Sequence, residues 1–563
     1  MLSGVLFRRD GDDIVPEFVN QYVLTDVYLH ARDNPNLKRP LVPSITTLIR
    51  GSFLAAVWAI LRAVVLVLLS KLPGSRYAVK RISVANTAVV YHDGRALATC
   101  ESGIPMRFQL PSLETVGWFN GRRAENEPGE DSRPGFGGNG RGASIKESTT
   151  GHPRIDPVTK EFISYHVVYT KPYVYYSIVP SATSLKESPV GGPNFCMPVP
   201  GVKSPKMMHD FGVAARHTII MDLPLSLNPI NIVAGKPVIS YDPTEQSRFG
   251  VFPRYEPERI QWFETNPCVI FHTANCWETT AWEAGVEKTS VHLLACRLTS
   301  AAVLYSAGAL EPPVPKPVPA EYAEEEQCRL YYYEFPLVAD GSGEVPLIRN
   351  QWALSAVPME FPTLSPLCHM KEARFVYGCS SGSGSQGSTT KINHLVKMDT
   401  VKLIERGLAQ GPEPIKGCVD TRTSEEVMRS ADPNDPIKIF RMPKGWYTQE
   451  PRFVPRAGAG RAEDEGWLLC YAFDESQLDA NGECPEDSVS ELWIIDAVGM
   501  KDVVAKVQLP QRVPYGLHGA WFPEEEIMGQ RPLNAVRREI RKEELDTTGT
   551  LSILRDALER WIG

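Results

Sequence analysis

The chain has 563 residues, with 59 Lys plus Arg against 67 Asp plus Glu and a formal net charge of -8. That length can build several small domains or one large single-core architecture, and the mixed, slightly acidic balance lacks the basic face that nucleic acid requires. The 11 cysteines are scattered, odd in number and without a C-x-x-C pair, which excludes the disulfide framework of a small secreted domain and reads as reduced, mostly buried thiols in a cytosolic protein.

From the N-terminus, Phe7 to Leu29 reads as a strand pair turned at Asp10-Gly11-Asp12. The charged stretch Arg8 to Asp13 stands where the apolar part of a signal peptide would be. Phe53 to Leu69 is the most apolar run of the chain, and Lys71, Pro73 and Gly74 stop it as a helix. Its 17 residues, with Arg62 near the middle, sit at the short limit for crossing a bilayer. The run fits a helix lying in one leaflet, within an apolar insertion over 50–74 that docks the protein on a membrane; a buried core helix is the alternative.

Ile82 to Glu101 reads as two strands around the turn His92-Asp93-Gly94. Gly121 to Gly142 is polar, Gly-rich and aperiodic, and the segment 121–147 is expected to be a disordered loop. Beyond Phe162 short strands recur with turns between them, among them Tyr173–Val179, Thr218–Met221, Val269–His272, Val291–Leu298, Arg329–Phe335, Trp467–Phe473 and Leu492–Asp496. Pro312 to Pro319 and Glu324 to Glu326 form a Pro-rich and an acidic spur, and Cys379 to Thr390 a Ser/Gly loop. Asn534 to Trp561, inside a C-terminal helical segment over 530–563, has a helical pattern broken near Asp546 to Gly549. Many short strands with turns between them imply a sandwich, a barrel or a propeller, although no repeat of fixed period is visible.

Four histidines stand in short tight motifs beside strand-like runs: Gly151-His152-Pro153, Met208-His209-Asp210-Phe211, Phe271-His272-Thr273-Ala274-Asn275 and Gly516-Leu517-His518-Gly519. Alone, each reads as a satisfied core residue. Together they read as a metal site of four neutral imidazoles. His152 and His209 lie 57 positions apart and His209 and His272 lie 63, about one propeller blade each with long loops. All-imidazole ligation suits iron(II), copper or zinc, and the clustered Cys and His of structural zinc are missing. Metal-bound imidazole needs a carboxylate or carbonyl on its other nitrogen. Glu101, Glu360 and Glu450 each stand alone in a small or apolar context and are candidates for that role. Gly378-Cys379-Ser380-Ser381-Gly382 matches the Gly-x-Ser-x-Gly pattern of hydrolases but runs into a Ser/Gly loop instead of a helix. No P-loop pattern occurs.

From Met1 to about Phe522 these motifs resemble the carotenoid cleavage oxygenases. Gly151-His152-Pro153-Arg154-Ile155-Asp156-Pro157 is similar to the first ligand motif of that family, and the segments around His209, His272 and His518 are similar to the other three. The resemblance implies an all-β, seven-bladed propeller with a helical cap over its metal face, built as one domain over 1–563. It implies an Fe2+ ion held by His152, His209, His272 and His518, with Glu101, Glu360 and Glu450 behind three of them. It also implies dioxygen-dependent cleavage of one C=C bond of a carotenoid to aldehyde products, without an organic cofactor. Leu517 departs from the aromatic residue that many relatives carry.

Pro43-Ser44-Ile45-Thr46-Thr47, Ile82-Ser83-Val84-Ala85-Asn86-Thr87, Tyr91 to Glu101 and Phe473-Asp474-Glu475-Ser476-Gln477 resemble a fungal branch that cleaves torulene to β-apo-4'-carotenal. Neighbouring branches cleave β-carotene to retinal, or stilbenes. The apolar run favours a lipid-dissolved polyene and a cytoplasmic, peripherally membrane-associated enzyme. Met1 falls where the family has the methionine of an Asp-Gly-Asp-Gly-Met motif, so the resemblance implies that the N-terminal closing strands are missing. That leaves an inactive, truncated metal-binding propeller as an alternative.

Overall fold

Two tight turns show how the chain sets its registers. Asp93 and Gly94 join strand Ala88–His92 to strand Arg95–Thr99, both with positive φ (51° and 78°), and His92 pairs with Arg95 across the turn. This is the two-residue hairpin geometry that Asp-Gly favours, because its backbone twist matches that of the strands. Gly11, at φ 61°, does the same between Leu2–Asp10 and Asp13–Gln21, where Asp10 pairs with Asp13. The computed structural model describes residues 1–32, 37, 41, 53–72, 78–139, 142–182, 194–228, 231, 238–283, 285–298, 300–301, 328–339, 341, 343–381, 391–411, 415, 417–458, 461–539 and 550–562. The Pro-rich and acidic spurs and most of the Ser/Gly loop lie outside the described residues.

The fold is all-β and propeller-like. Six sheets of four or five strands follow one another along the chain. Their first strands are Ala88–His92, Arg154–Ile155, Gly212–Val213, Val269–Glu283, Glu360–Thr363 and Trp446–Thr448. Seven blades were expected, and the described residues form six; the hairpin Leu2–Gln21 remains a separate two-stranded sheet, as does the pair Leu225–Leu227 and Ile239–Tyr241. The fourth sheet gains its fifth strand, Cys418–Asp420, by parallel pairing with Asn350–Ser355. First strands of several successive sheets touch one another, the first with the second, the third with the fourth and the fourth with the fifth. Side chains carried at those strands therefore face a shared centre.

The core lies between blades. Tyr176 and Ile178 of the second sheet, Ile219 and Phe249 of the third, and Leu293 and Phe335 of the fourth form one continuous buried cluster. Each strand contributes large residues at alternate positions, so each sheet buries both faces against its neighbours.

Helices are few. Residues Asp26–Arg32 are helical where a strand was expected. Thr25 explains the switch: its hydroxyl accepts from the Tyr28 N–H at 3.2 Å, and Asp26 places a carboxylate in the first turn. Thr400–Leu408, unforeseen in the sequence, is capped by Asp399 and packs on the fourth and fifth sheets. Of the C-terminal segment, 530–539 is not helical and Thr550–Ile562 is. Apart from 140 and 141, the segment 121–147 is described as an irregular but packed loop, not a disordered one. Phe136 is buried against Phe119, Phe162 and Phe195, and these aromatic contacts outweigh the local polarity.

Phe53–Leu69 is one helix of 17 residues. Leu66, Ala63 and Val67 pack on Val27, Leu41 and Val79. The side chain of Arg62 is buried on this protein-facing side. Leu54, Trp58, Leu61 and Leu68 are exposed at 47–77%, so the run is not a buried core helix. No helix among the described residues is long and apolar enough to cross a membrane.

Candidate metal centre

Each site residue sits at an inner edge of the propeller. His152 and His209 immediately precede the first strands of the second and third sheets. His272 is carried by the first strand of the fourth, and Glu360 opens the first strand of the fifth. Glu450 lies just before Arg452–Pro455, and His518 follows the last strand of the sixth sheet. Glu101 follows strand Arg95–Thr99 of the first.

Local irregularities aim these side chains. The register of Val269–Glu283 against its neighbour shifts between Ile270 and Thr273, on both sides of His272. The pairing of Glu360–Thr363 shifts in the same way. Such bulges re-aim a side chain that regular pleating would point elsewhere. Gly151 answers a different need. A Cβ there would lie 2.7 Å from Thr87 and 3.1 Å from the Glu101 carboxyl, so only glycine lets the chain bearing His152 pass that close.

The result is a cluster in which one nitrogen from each of His152, His209, His272 and His518 lies within 4.8 Å of the others. Nε2 of His152 is 3.1 Å from Nε2 of His209, and Nε2 of His272 is 3.1 Å from Nε2 of His518. Three glutamates stand behind the rings. Glu101 meets Nδ1 of His209 at 2.7 Å, Glu360 meets Nδ1 of His272 at 2.6 Å, and Glu450 meets Nδ1 of His518 at 3.1 Å. The carboxylates are themselves held. The Thr87 hydroxyl donates to Glu101, the Phe361 N–H to Glu360 and the Gly519 N–H to Glu450.

These contacts fix the tautomers. A carboxylate on Nδ1 keeps the proton there and leaves Nε2 with a lone pair. Nε2 of His272 and Nε2 of His518 thus face each other with two lone pairs and no hydrogen between them. That arrangement is repulsive by itself and becomes favourable around a cation. Burial, and then its three histidine neighbours, hold the His152 imidazole well below its ordinary pKa, keeping it neutral. Burial also lowers His518, against the pull of Glu450. At His272 burial pulls the ring down, but the Glu360 carboxylate, with Asp210 and Glu450 adding to it, raises it on balance. Opposed metal–imidazole bonds of about 2 Å span about 4 Å, so the cluster has the dimensions and donor set of a single metal ion.

Among the described residues no other histidine joins this cluster. His166 bonds Ser177, His217 bonds Glu278, His292 lies between Thr279 and Tyr332, and His394 bonds Asn393.

Sequence reading missed the residues beside the ligands. Buried Asp210 accepts from Arg154 at 2.5 and 2.7 Å and from the Thr273 N–H at 2.8 Å. Asn275 donates to the Lys371 carbonyl at 2.6 Å and accepts from the Met370 N–H at 3.1 Å. Tyr165 donates to the Met208 carbonyl at 2.6 Å. Phe361, with φ 52°, lays its ring 5.2 Å from His272 and 5.3 Å from His518. The signal that would have found Arg154, Asp210, Thr273 and Asn275 is adjacency: each lies within three positions of a ligand histidine.

A propeller with imidazoles converging on its centre and carboxylates behind them is the architecture of a metal-dependent oxygenase family. Residues 1–523 match the family model described as retinal pigment epithelial membrane protein, and the chain belongs to this family, that of the carotenoid cleavage oxygenases. The chain is 48% identical to the carotenoid dioxygenase carX of Gibberella fujikuroi, over 100% of this chain and 88% of that one. It is 30% identical to the carotenoid 9,10(9',10')-cleavage dioxygenase 1 of Arabidopsis thaliana, over 79% of this chain and 68% of that one. Among solved structures, the lignostilbene dioxygenase of Pseudomonas brassicacearum superposes with a TM-score of 0.60 at 19% identity, over 92% of this chain and 86% of that one. Cobalt-substituted Synechocystis ACO superposes with a TM-score of 0.56 at 18% identity, also over 92% and 86%.

Proposed function

We propose that the protein is a carotenoid cleavage dioxygenase whose Fe2+ ion is held by His152, His209, His272 and His518. One observation carries the reading: four mutually close imidazole nitrogens, three of them with the opposite ring nitrogen on a glutamate. A ferrous ion bound there supplies the activation of dioxygen toward a C=C bond. The chain's own residues do the rest. Glu101, Glu360 and Glu450 keep the Nδ1 protons and present Nε2 lone pairs inward, and they balance part of the ion's charge. Phe271 lies 5.3 Å from His209, and Phe361 covers His272 and His518. These rings exclude water from the nitrogens and offer an apolar surface to a polyene. Half-buried His152, held neutral, adds a donor without a charge.

Torulene, cleaved to β-apo-4'-carotenal, is the substrate that the fungal resemblance favours, and the 48% identity to a fungal carotenoid dioxygenase supports that branch. β-Carotene cleavage to retinal is the alternative. The exposed face of Phe53–Leu69 supports docking on a membrane surface, where such a polyene is dissolved. The deciding experiment incubates the Fe2+-loaded protein with torulene and, separately, with β-carotene under air, and identifies the products by mass spectrometry. The expected result is two aldehydes from torulene at the higher rate. Preference for β-carotene moves the enzyme to the other branch, and no turnover of either by an iron-loaded, folded protein sinks the reading.

A further inference from the structure

His209, His272 and His518 each have a glutamate on the outer ring nitrogen, and His152 does not. Among the described residues the second nitrogen of the His152 ring has no hydrogen-bond partner. Its backbone N–H donates to the Thr150 hydroxyl at 3.0 Å, which fixes the main chain and not the ring. Something else must limit where this ligand sits, because a loosely held imidazole loses its metal.

Two residues downstream, Arg154 sends Nη2 into a compact knot. It reaches both oxygens of Asp210, at 2.7 and 2.5 Å, the Thr273 hydroxyl at 2.8 Å and the Thr273 carbonyl at 3.2 Å. Asp210 also accepts from the Phe211 N–H at 2.8 Å, the Thr273 N–H at 2.8 Å and the Thr273 hydroxyl at 3.1 Å. That hydroxyl also lies 2.9 Å from the Phe211 carbonyl. Asp210 is 1% exposed. Its lone pairs are used up within the knot, and a carboxylate buried this deeply is tolerable only when so paired. Asp210 follows His209 and Thr273 follows His272. The knot therefore ties the segment carrying His152 to the two segments whose histidines are already braced by glutamates.

We infer that Arg154, Asp210 and Thr273 are positioning residues for His152, doing through the main chain what a glutamate does for each of the other three rings. The inference rests on the four-histidine metal reading. It separates this knot from a merely structural one by a specific dependence: its effect on the metal passes through His152.

The test measures how fast the full-length, Fe2+-loaded protein gives up its ion to a colorimetric ferrous chelator. Thr273→Val removes only the hydroxyl and keeps the shape, and Thr273→Ser restores the hydroxyl. Release should speed up about 10-fold in Thr273→Val and 10- to 100-fold in Arg154→Met, in line with the loss of outer-shell partners at other metal sites. Thr273→Ser should match the unsubstituted protein. In a His152→Ala background, Thr273→Val should add no further acceleration, whereas Glu360→Gln should. Loss of the buried hydroxyl should lower the melting temperature of the metal-free protein by the same amount with and without His152, so that only the release rate depends on His152. Release at the unsubstituted rate in Thr273→Val overturns the inference, as does an equal penalty with and without His152. An unsubstituted chain that takes up no ion at all overturns the metal-centre reading itself, and this inference with it.

Discussion

The histidine centre and the apolar helix Phe53–Leu69 are built on opposite plans. The centre gathers single residues from segments up to 417 positions apart, Glu101 to His518, and pairs nearly every polar group it buries. The helix is one continuous segment whose inner face packs on Val27, Leu41 and Val79 while Leu54, Trp58, Leu61 and Leu68 on its outer face stay exposed among the described residues. A site of the first kind is specified by the whole fold and tolerates little change at any one member. A site of the second kind is specified by local composition, and its outer face can change without disturbing the core.

The largest effect should come from the centre. His209→Ala removes a ligand while its Glu101 keeps the Thr87 hydrogen bond. Turnover should fall to background, with near-native circular dichroism and less than one iron per chain. A variant that keeps full iron and activity would remove His209 from the centre. Next comes Glu360→Gln, which keeps the shape but loses the charge that fixes the His272 proton. Iron affinity should fall 10- to 100-fold, read by chelator competition. Unchanged affinity would mean that the bulges at His272 and Glu360 suffice to aim the ring.

The helix should respond through binding and not through stability. Trp58, Leu61 and Leu68 are 47%, 54% and 59% exposed. Changing all three to Ser should release the protein from phospholipid vesicles in a flotation assay, because each loses about 1–2 kcal/mol of transfer free energy into lipid. Cleavage of a detergent-dissolved substrate should be unaffected. Vesicle binding that survives the triple change would end the docking role of this face.

The same contrast governs what could be read from the sequence. That four histidines would converge with three glutamates behind them was legible because metal chemistry restricts residue type and because each stands in a short motif. Hairpins such as Ala88–Thr99 were legible because Asp-Gly has few other uses. Blade count was not, since sheets of four and five strands with loops of unequal length leave no fixed period, and seven expected blades became six. The helix Asp26–Arg32 escaped because seven residues are too few to show a 3.6-residue period against an alternating one. Arg154, Asp210 and Thr273 stand beside the ligand histidines in the same motifs, but their role did not show, because the hydrogen bonds that join them run between segments and leave no signature within any one. Phe136 turned a polar, Gly-rich stretch into packed structure through contacts of the same distant kind.

The smallest effect sharpens the contrast by asking what burial does to an imidazole that binds nothing. His166 lies wholly inside the second sheet, with Nε2 2.6 Å from the Ser177 hydroxyl and the Phe136 ring 5.7 Å away. Burial pushes its pKa down from 6.5 to about 3. In the unfolded chain the ring takes a proton near pH 6.5, and in the folded chain it stays neutral. The unfolded state therefore binds more protons, so the stability His166 contributes is fully present above pH 6.5 and is lost as pH falls from there toward 3. The loss should be about 1.4 kcal/mol per pH unit. Gln in its place can still bond Ser177 but does not titrate. Urea unfolding of the metal-free protein at pH 7, 6 and 5 should show His166→Gln losing less stability than the unsubstituted chain, by about 1.4 kcal/mol for each unit below 6.5. His92, lowered by burial to about 4, adds to the acid sensitivity of both proteins and cancels in the difference. Parallel pH profiles for the two proteins would show that His166 is not held neutral by burial.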